Sequence, residues 1–105
     1  MVDLELDELK REFLAEADEK VREMEAKFAE RSAESLERLS YLAHQLKGSG
    51  GSYGFERISA DAAEIEKAVE RLNGGGGDAA RRIVREHVGS LRSEIDRRAR
   101  ELAAR

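Results

Sequence analysis

The residues best suited to chemistry stand together at positions 44 to 54, which read His-Gln-Leu-Lys-Gly-Ser-Gly-Gly-Ser-Tyr-Gly. On a helix with about 100° per residue, Leu36, Leu39, Leu42, Ala43 and Leu46 gather on one arc, and His44 points away from that arc toward solvent. Glu37, Ser40, Tyr41, Lys47, Gly48 and Gly51 all fall within about 60° of His44 on the same wheel. The uncharged form of an imidazole has a free ring-nitrogen lone pair and is a nucleophile. Lys47 is the neighbour three residues on, along the same face. An ammonium in that place disfavours metal ligation and suits an imidazole that holds a dianionic phosphoryl group.

The glycines around this histidine require a reason. Each glycine inside a helix costs about 1 kcal/mol relative to alanine, so Gly48, Gly50 and Gly51 together cost roughly 3 kcal/mol. Against a net stability of about 5–15 kcal/mol that is a large concession. Gly48 and Gly51 are expected to keep the surface beside His44 bare, so that a partner's active site can reach the ring. Gly50 falls on the core arc, where it lets another helix come close.

Other chemistries find little support. The only further histidine, His87, follows Val84 by three and precedes Leu91 by four, and it reads as a half-buried structural residue. There is no cysteine, which removes disulfides, thiolate metal sites and cysteine nucleophiles. Gly48 to Gly54 is glycine-rich, but no Gly-Lys-Ser/Thr ending follows and the order is reversed for a phosphate-binding loop. A metal-binding bundle needs inward Glu-x-x-His pairs. Tyr41 and Val84 stand where those glutamates would be, so no metal site is expected. A serine-based triad fails because His44 points away from the core that would hold an orienting acid.

The elements that position these residues follow from apolar spacing. A first helix is predicted over about 6–31, with Leu6, Leu9, Phe13, Ala17, Val21, Met24 and Phe28 at steps of three and four. A break near Ala29–Ser32 leaves Ser32 to cap the next helix. The second is predicted over 33–53 and carries His44, with Gly54 just past its end. The third covers 55–72, where Ile58, Ala62, Ile65, Val69 and Leu72 form the stripe. A glycine loop at 74–77 follows, then a fourth helix over 78–103, capped by Asp78 and striped by Val84, Val88, Leu91, Ile95 and Leu102. Four such helices with short connections predict an all-α, antiparallel up-down-up-down four-helix bundle.

Whole-chain properties agree. One domain is expected across residues 1–105, since this length closes a single core without staples. Hydrophobic and charged residues each make up 40%, with no proline, which favours helices throughout. The net charge of −4 is spread as interleaved signs, with no basic patch, which argues against nucleic acid as a partner. The N-terminus is acidic and amphipathic, and no stretch approaches the ~18 apolar residues of a membrane span. A cytoplasmic protein without membrane contact is the expectation.

At His44-Gln45-Leu46-Lys47-Gly48, followed by Ser49, Gly50, Gly51 and Gly54, the sequence resembles the histidine phosphotransfer (HPt) domains of bacterial two-component phosphorelays. Leu42-Ala43 before this motif and Phe55 after it also look like the family, and helix order and lengths fit over nearly the whole chain. The resemblance implies a bundle whose histidine accepts a phosphoryl group on Nε2 from a receiver-domain aspartate and passes it to another receiver. It implies that Lys47 steadies the phosphoryl oxygens and that Gly48 gives the receiver room. It further implies receiver docking at Tyr41, Gln45, Gly48 and Gly51, and a carboxylate or amide on the third helix that holds the histidine's other nitrogen. By sequence offset that residue is Glu66. Expected partners are receiver domains of response regulators or hybrid histidine kinases. No cofactor is expected on this chain, and the Mg²⁺ belongs to the receiver. Such a chain is a phosphoryl carrier rather than an enzyme, with no kinase activity of its own. Two other readings remain: a helical interaction module without phosphotransfer, and a phospho-accepting domain excised from a larger sensor kinase.

Overall fold

The computed structural model describes residues 4–75 and 77–104. Four helices make up its regular structure: α1 Leu4–Glu30, α2 Ala33–Ser52, α3 Glu56–Asn73 and α4 Asp78–Ala103. No strand occurs among the described residues.

The start of α2 is set by local hydrogen bonding. Ser32 takes the N-cap position, where its hydroxyl accepts from the Ser35 backbone N–H, while the Ser35 hydroxyl accepts in return from the Ser32 backbone N–H. Two donors that a helix start leaves unpaired are thereby satisfied. The chain reverses just before this cap through Arg31, at φ +57°, a left-handed conformation unusual for a residue with a Cβ. The far end of α2 stops one residue earlier than its pattern predicts. Tyr53 lies outside the helix, and Gly54 turns the chain at φ +80°, a region glycine enters without steric cost.

The fourth helix shows a small correction. Gly77 occupies the N-cap and Asp78 is the first helical residue, without a side-chain cap bond. The aspartate still sits where negative charge meets the positive end of the helix dipole. In the predicted glycine loop 74–77, Gly76 lies outside the described residues.

Helix backbones approach one another in the closed order α1–α2–α3–α4, with α1 also against α4. Paired residues run in opposite chain directions at every seam. Along α1 and α2, Phe13 stacks on Tyr53, while Glu23 meets Arg38. Along α2 and α3, His44 meets Glu66 and the Lys47 carbonyl meets Ser59. Asp61 pairs with His87 and Arg57 with Ser90 across α3 and α4. Arg11 bonds the Leu102 carbonyl, and Asp18 pairs with Arg92, across α1 and α4. Successive helices are therefore antiparallel, in a body 51 Å long and 20 Å wide.

The stripes of α2, α3 and α4 form the core, and Leu39, Leu46, Ile58, Ile65, Leu91 and Ile95 are almost fully buried. Leu72 and Phe28 pack only partly against it. The first stripe is corrected at its beginning. Leu6 and Leu9 are exposed, and the continuous apolar contact of α1 begins at Phe13 and Leu14. The covered face at this end of α1 carries Asp7, which is buried and lies about 20° from Leu14 on the helical wheel, whereas Leu9 lies about 140° from Leu14.

Candidate functional site

α2 turns its apolar arc into the core with Leu42, Ala43 and Leu46 buried, and this fixes the opposite orientation of the ring between them. The His44 side chain is 65% exposed. Its Nδ1 lies 2.9 Å from Oε2 of Glu66 on α3. The other oxygen of that carboxylate, Oε1, accepts from Lys47 Nζ at 2.9 Å. One side chain thus holds both residues singled out on α2. The Glu66 side chain is only 21% exposed. The Lys47 ammonium, joined by the His44 ring, holds its carboxyl below the ordinary carboxylate value, against the partial burial that would raise it.

The chemical consequence follows from the hydrogen-bond inventory. An ionised carboxylate can only accept, so Nδ1 must carry the hydrogen of a neutral ring. The lone pair then resides on Nε2, for which the described residues offer no hydrogen-bond partner. The arrangement presents an oriented nitrogen nucleophile to solvent, with a lysine one helical turn away.

The glycines divide into two kinds. At Gly48 an added Cβ would meet nothing within 4 Å, so the space there is open to solvent. At Gly51 it would meet only Ser59 Oγ, at an ordinary 3.6 Å. At Gly50 it would stand 3.2 Å from both Ile58 Cγ2 and the Ser59 backbone nitrogen. Gly50 therefore serves the packing of α2 against the start of α3, where its carbonyl accepts the Phe55 N–H at 2.8 Å. Packing gives no reason for glycine at 48.

The remaining residues of the predicted surface lie on the other flank of His44. Tyr41 is exposed, its hydroxyl accepts from Gln45 Nε2 at 2.9 Å, and the Arg38 guanidinium lies over its ring at 5.5 Å. Arg38 is itself held by Glu23 of α1. Tyr41, Gln45, His44, Lys47, Gly48 and Gly51 thus belong to one helix, and Glu66 is brought to them from the next. No cluster of three or more potential metal ligands occurs among the described residues.

Sequence reasoning placed His87 beside the α4 stripe, and the structure finds it half-buried with Nδ1 2.9 Å from Oδ1 of Asp61. It did not find Asp61, which is buried and also accepts from Ser90 Oγ at 2.7 Å. An aspartate on a charge-rich helix reads as solvated. The available signal was the pair His87 and Ser90, three apart on the α4 face toward α3.

A family model described as Hpt domain matches residues 8–104, nearly the whole chain. Comparison with curated proteins gave no match, nor did comparison with solved structures.

Proposed function

The chain belongs to the Hpt domain family, and from that premise we propose that it is a phosphorelay intermediate that takes a phosphoryl group onto His44 from a receiver-domain phosphoaspartate and gives it to another receiver. The observation that carries this reading is the 2.9 Å contact between His44 Nδ1 and an ionised Glu66 on an otherwise exposed ring. It supports Nε2 as the attacking atom. The Nε2 lone pair forms the bond to phosphorus as the bond from phosphorus to the aspartyl oxygen breaks, and the aspartate leaves as a carboxylate. The ring becomes an N-phosphorylated imidazolium that keeps its Nδ1 hydrogen on Glu66. Transfer to the next receiver runs the same exchange in reverse.

Phosphoryl transfer needs alignment and charge stabilisation more than covalent help from its surroundings. On this reading the receiver brings the aspartate and the Mg²⁺, and this chain brings the ring, Lys47 and an open surface. Lys47 moves from Glu66 Oε1 to the phosphoryl oxygens when these arrive, since a dianion offers it more charge than a shared carboxylate. Tyr41, Gln45, Gly48 and Gly51 form the receiver's footing. The chain acts as a carrier and starts no phosphorylation from ATP.

The test is transfer of radiolabel from a phosphorylated receiver in the presence of Mg²⁺. Acid-labile label on the wild-type chain and none on a His44→Gln variant is the expected result. Failure of a panel of receivers to label the chain, or equal labelling of His44→Gln, would overturn the proposal in favour of a helical interaction module.

A further inference from the structure

The third helix holds a second histidine in the manner of the first. Asp61 precedes Glu66 by five residues, about 140° around the helix, so Glu66 reaches α2 and Asp61 reaches α4. The Asp61 side chain is 6% exposed. Its Oδ1 lies 2.9 Å from His87 Nδ1. Its Oδ2 accepts from Ser90 Oγ at 2.7 Å and lies 3.6 Å from Arg57 Nε. Arg57 Nη2 also donates to Ser90 Oγ at 3.1 Å. At both sites one α3 carboxylate turns one oxygen to a histidine Nδ1 and the other toward a cation: Lys47 in the first case, Arg57 in the second.

The same tautomer follows. A carboxylate oxygen against Nδ1 accepts the ring hydrogen, so the neutral His87 ring bears its lone pair on Nε2. The His87 side chain is 31% exposed. Nδ1 is engaged by the buried carboxylate, which leaves Nε2, on the far side of a partly exposed ring, as the nitrogen free to react. Two differences separate the sites. Ser90 stands three residues after His87, where Lys47 follows His44, and its hydroxyl is already engaged by Asp61. His87 is also the less exposed ring and has no glycine one turn along its own face.

We propose that His87 Nε2 is a second phosphoryl acceptor, loaded by small acyl phosphates rather than by a docked receiver. A recessed ring without a glycine-cleared approach favours a small dianion over a docked protein. The exposed Arg57 guanidinium can turn from Ser90 to the incoming phosphoryl oxygens, which suits its planar fork of donors. In the step itself, the Nε2 lone pair bonds to phosphorus, the bond from phosphorus to the acyl oxygen breaks, and the acid leaves as its carboxylate. The ring retains its Nδ1 hydrogen and becomes a cation, which the Asp61 carboxylate faces. Asp61 acts as a positioning residue that also balances this charge.

The proposal does not rest on the role of His44, and its test removes that residue. The His44→Gln chain is incubated with acetyl phosphate and mapped by mass spectrometry under alkaline conditions, which preserve phosphohistidine. The expected result is one acid-labile phosphate at His87, absent from the His44→Gln/His87→Gln chain. Adding Asp61→Asn, which keeps an acceptor near Nδ1 but removes the charge, is expected to slow labelling severalfold with the helical circular dichroism unchanged. Nitrogen-15 NMR of the unlabelled chain should show the His87 hydrogen on Nδ1. No acid-labile phosphate at His87, equal labelling rates with and without Asp61→Asn, or a neutral ring with its hydrogen on Nε2 would each overturn the proposal. Any of these, found while a receiver still labels wild-type His44, would remove the second site and leave the first intact.

Discussion

A single carboxylate, Glu66, sets both the tautomer of His44 and the resting place of Lys47, and its weight in stability and in function should differ. The site is 21–65% exposed, and ion pairs in that range contribute about 0.2–1 kcal/mol. Glu66→Ala should therefore lower unfolding stability by less than about 1 kcal/mol in urea titrations. Phosphotransfer should suffer more. Hydrogen bonds to charged groups are worth about 1.5–3 kcal/mol, and each ~1.4 kcal/mol is tenfold in rate, so single-turnover transfer should slow by about tenfold or more. A stability loss of several kcal/mol, or transfer at the wild-type rate, would refute this division of roles. His44, Lys47 and the glycines were legible in the sequence because their helical angles relative to a clear apolar arc can be worked out from spacing alone. Glu66 was not legible in that way. A glutamate on the border of the α3 stripe looks the same whether it faces solvent or the next helix, and only the family resemblance singled it out.

Among the elements, α2 offers the sharpest contrast, because two of its glycines look alike in sequence and differ in surroundings. Gly48→Ala adds a methyl to open space, removes a helix-propensity deficit and should stabilise the chain by up to about 1 kcal/mol. Gly50→Ala pushes a methyl against the Ser59 backbone nitrogen and Ile58 Cγ2 and should destabilise by about 1–3 kcal/mol. Thermal or urea unfolding of the two variants checks both signs, and equal effects would contradict the packing account. A bulky Gly48→Arg should fold normally and still impair transfer from a receiver, which separates the surface role from the structural one. The helix ends show where sequence reading weakens. Ser32 announced itself as a cap, but periodicity alone could not reveal that Leu6 and Leu9 stay exposed while Asp7 between them is buried. A stripe reports a shared face, not what stands opposite it.

For the whole molecule, charge pairing within and between helices makes stability depend on acid. Burial by itself would raise the Glu94 carboxyl, but the Arg97 and Arg98 guanidiniums outweigh it and hold that carboxyl below its ordinary value. Arg38 does the same for Glu23, and Lys47 for Glu66. Each group favours its ionised form in the folded state. The stabilisation is therefore complete above the ordinary carboxylate value near 4.5 and is lost as pH falls through the lower folded-state value. Thermal midpoints should hold steady from neutrality down to about pH 5 and then fall. Glu94→Gln should flatten part of that decline, and an unchanged slope would contradict the assignment. The bundle itself was legible because four stripes with short connections leave few alternatives. The buried Asp61, which ties α3 to α4, was hidden because composition treats every charge as a surface charge.

The central claim concerns one atom, Nε2 of His44. Nitrogen-15 labelling of the histidines, followed by incubation with a phosphorylated receiver and Mg²⁺, lets NMR read which ring nitrogen couples to phosphorus. Coupling is expected at Nε2 of His44, with the hydrogen retained on Nδ1 beside Glu66. Phosphorus on Nδ1, or none on His44 after the receiver has lost its phosphoryl group to the chain, would contradict it.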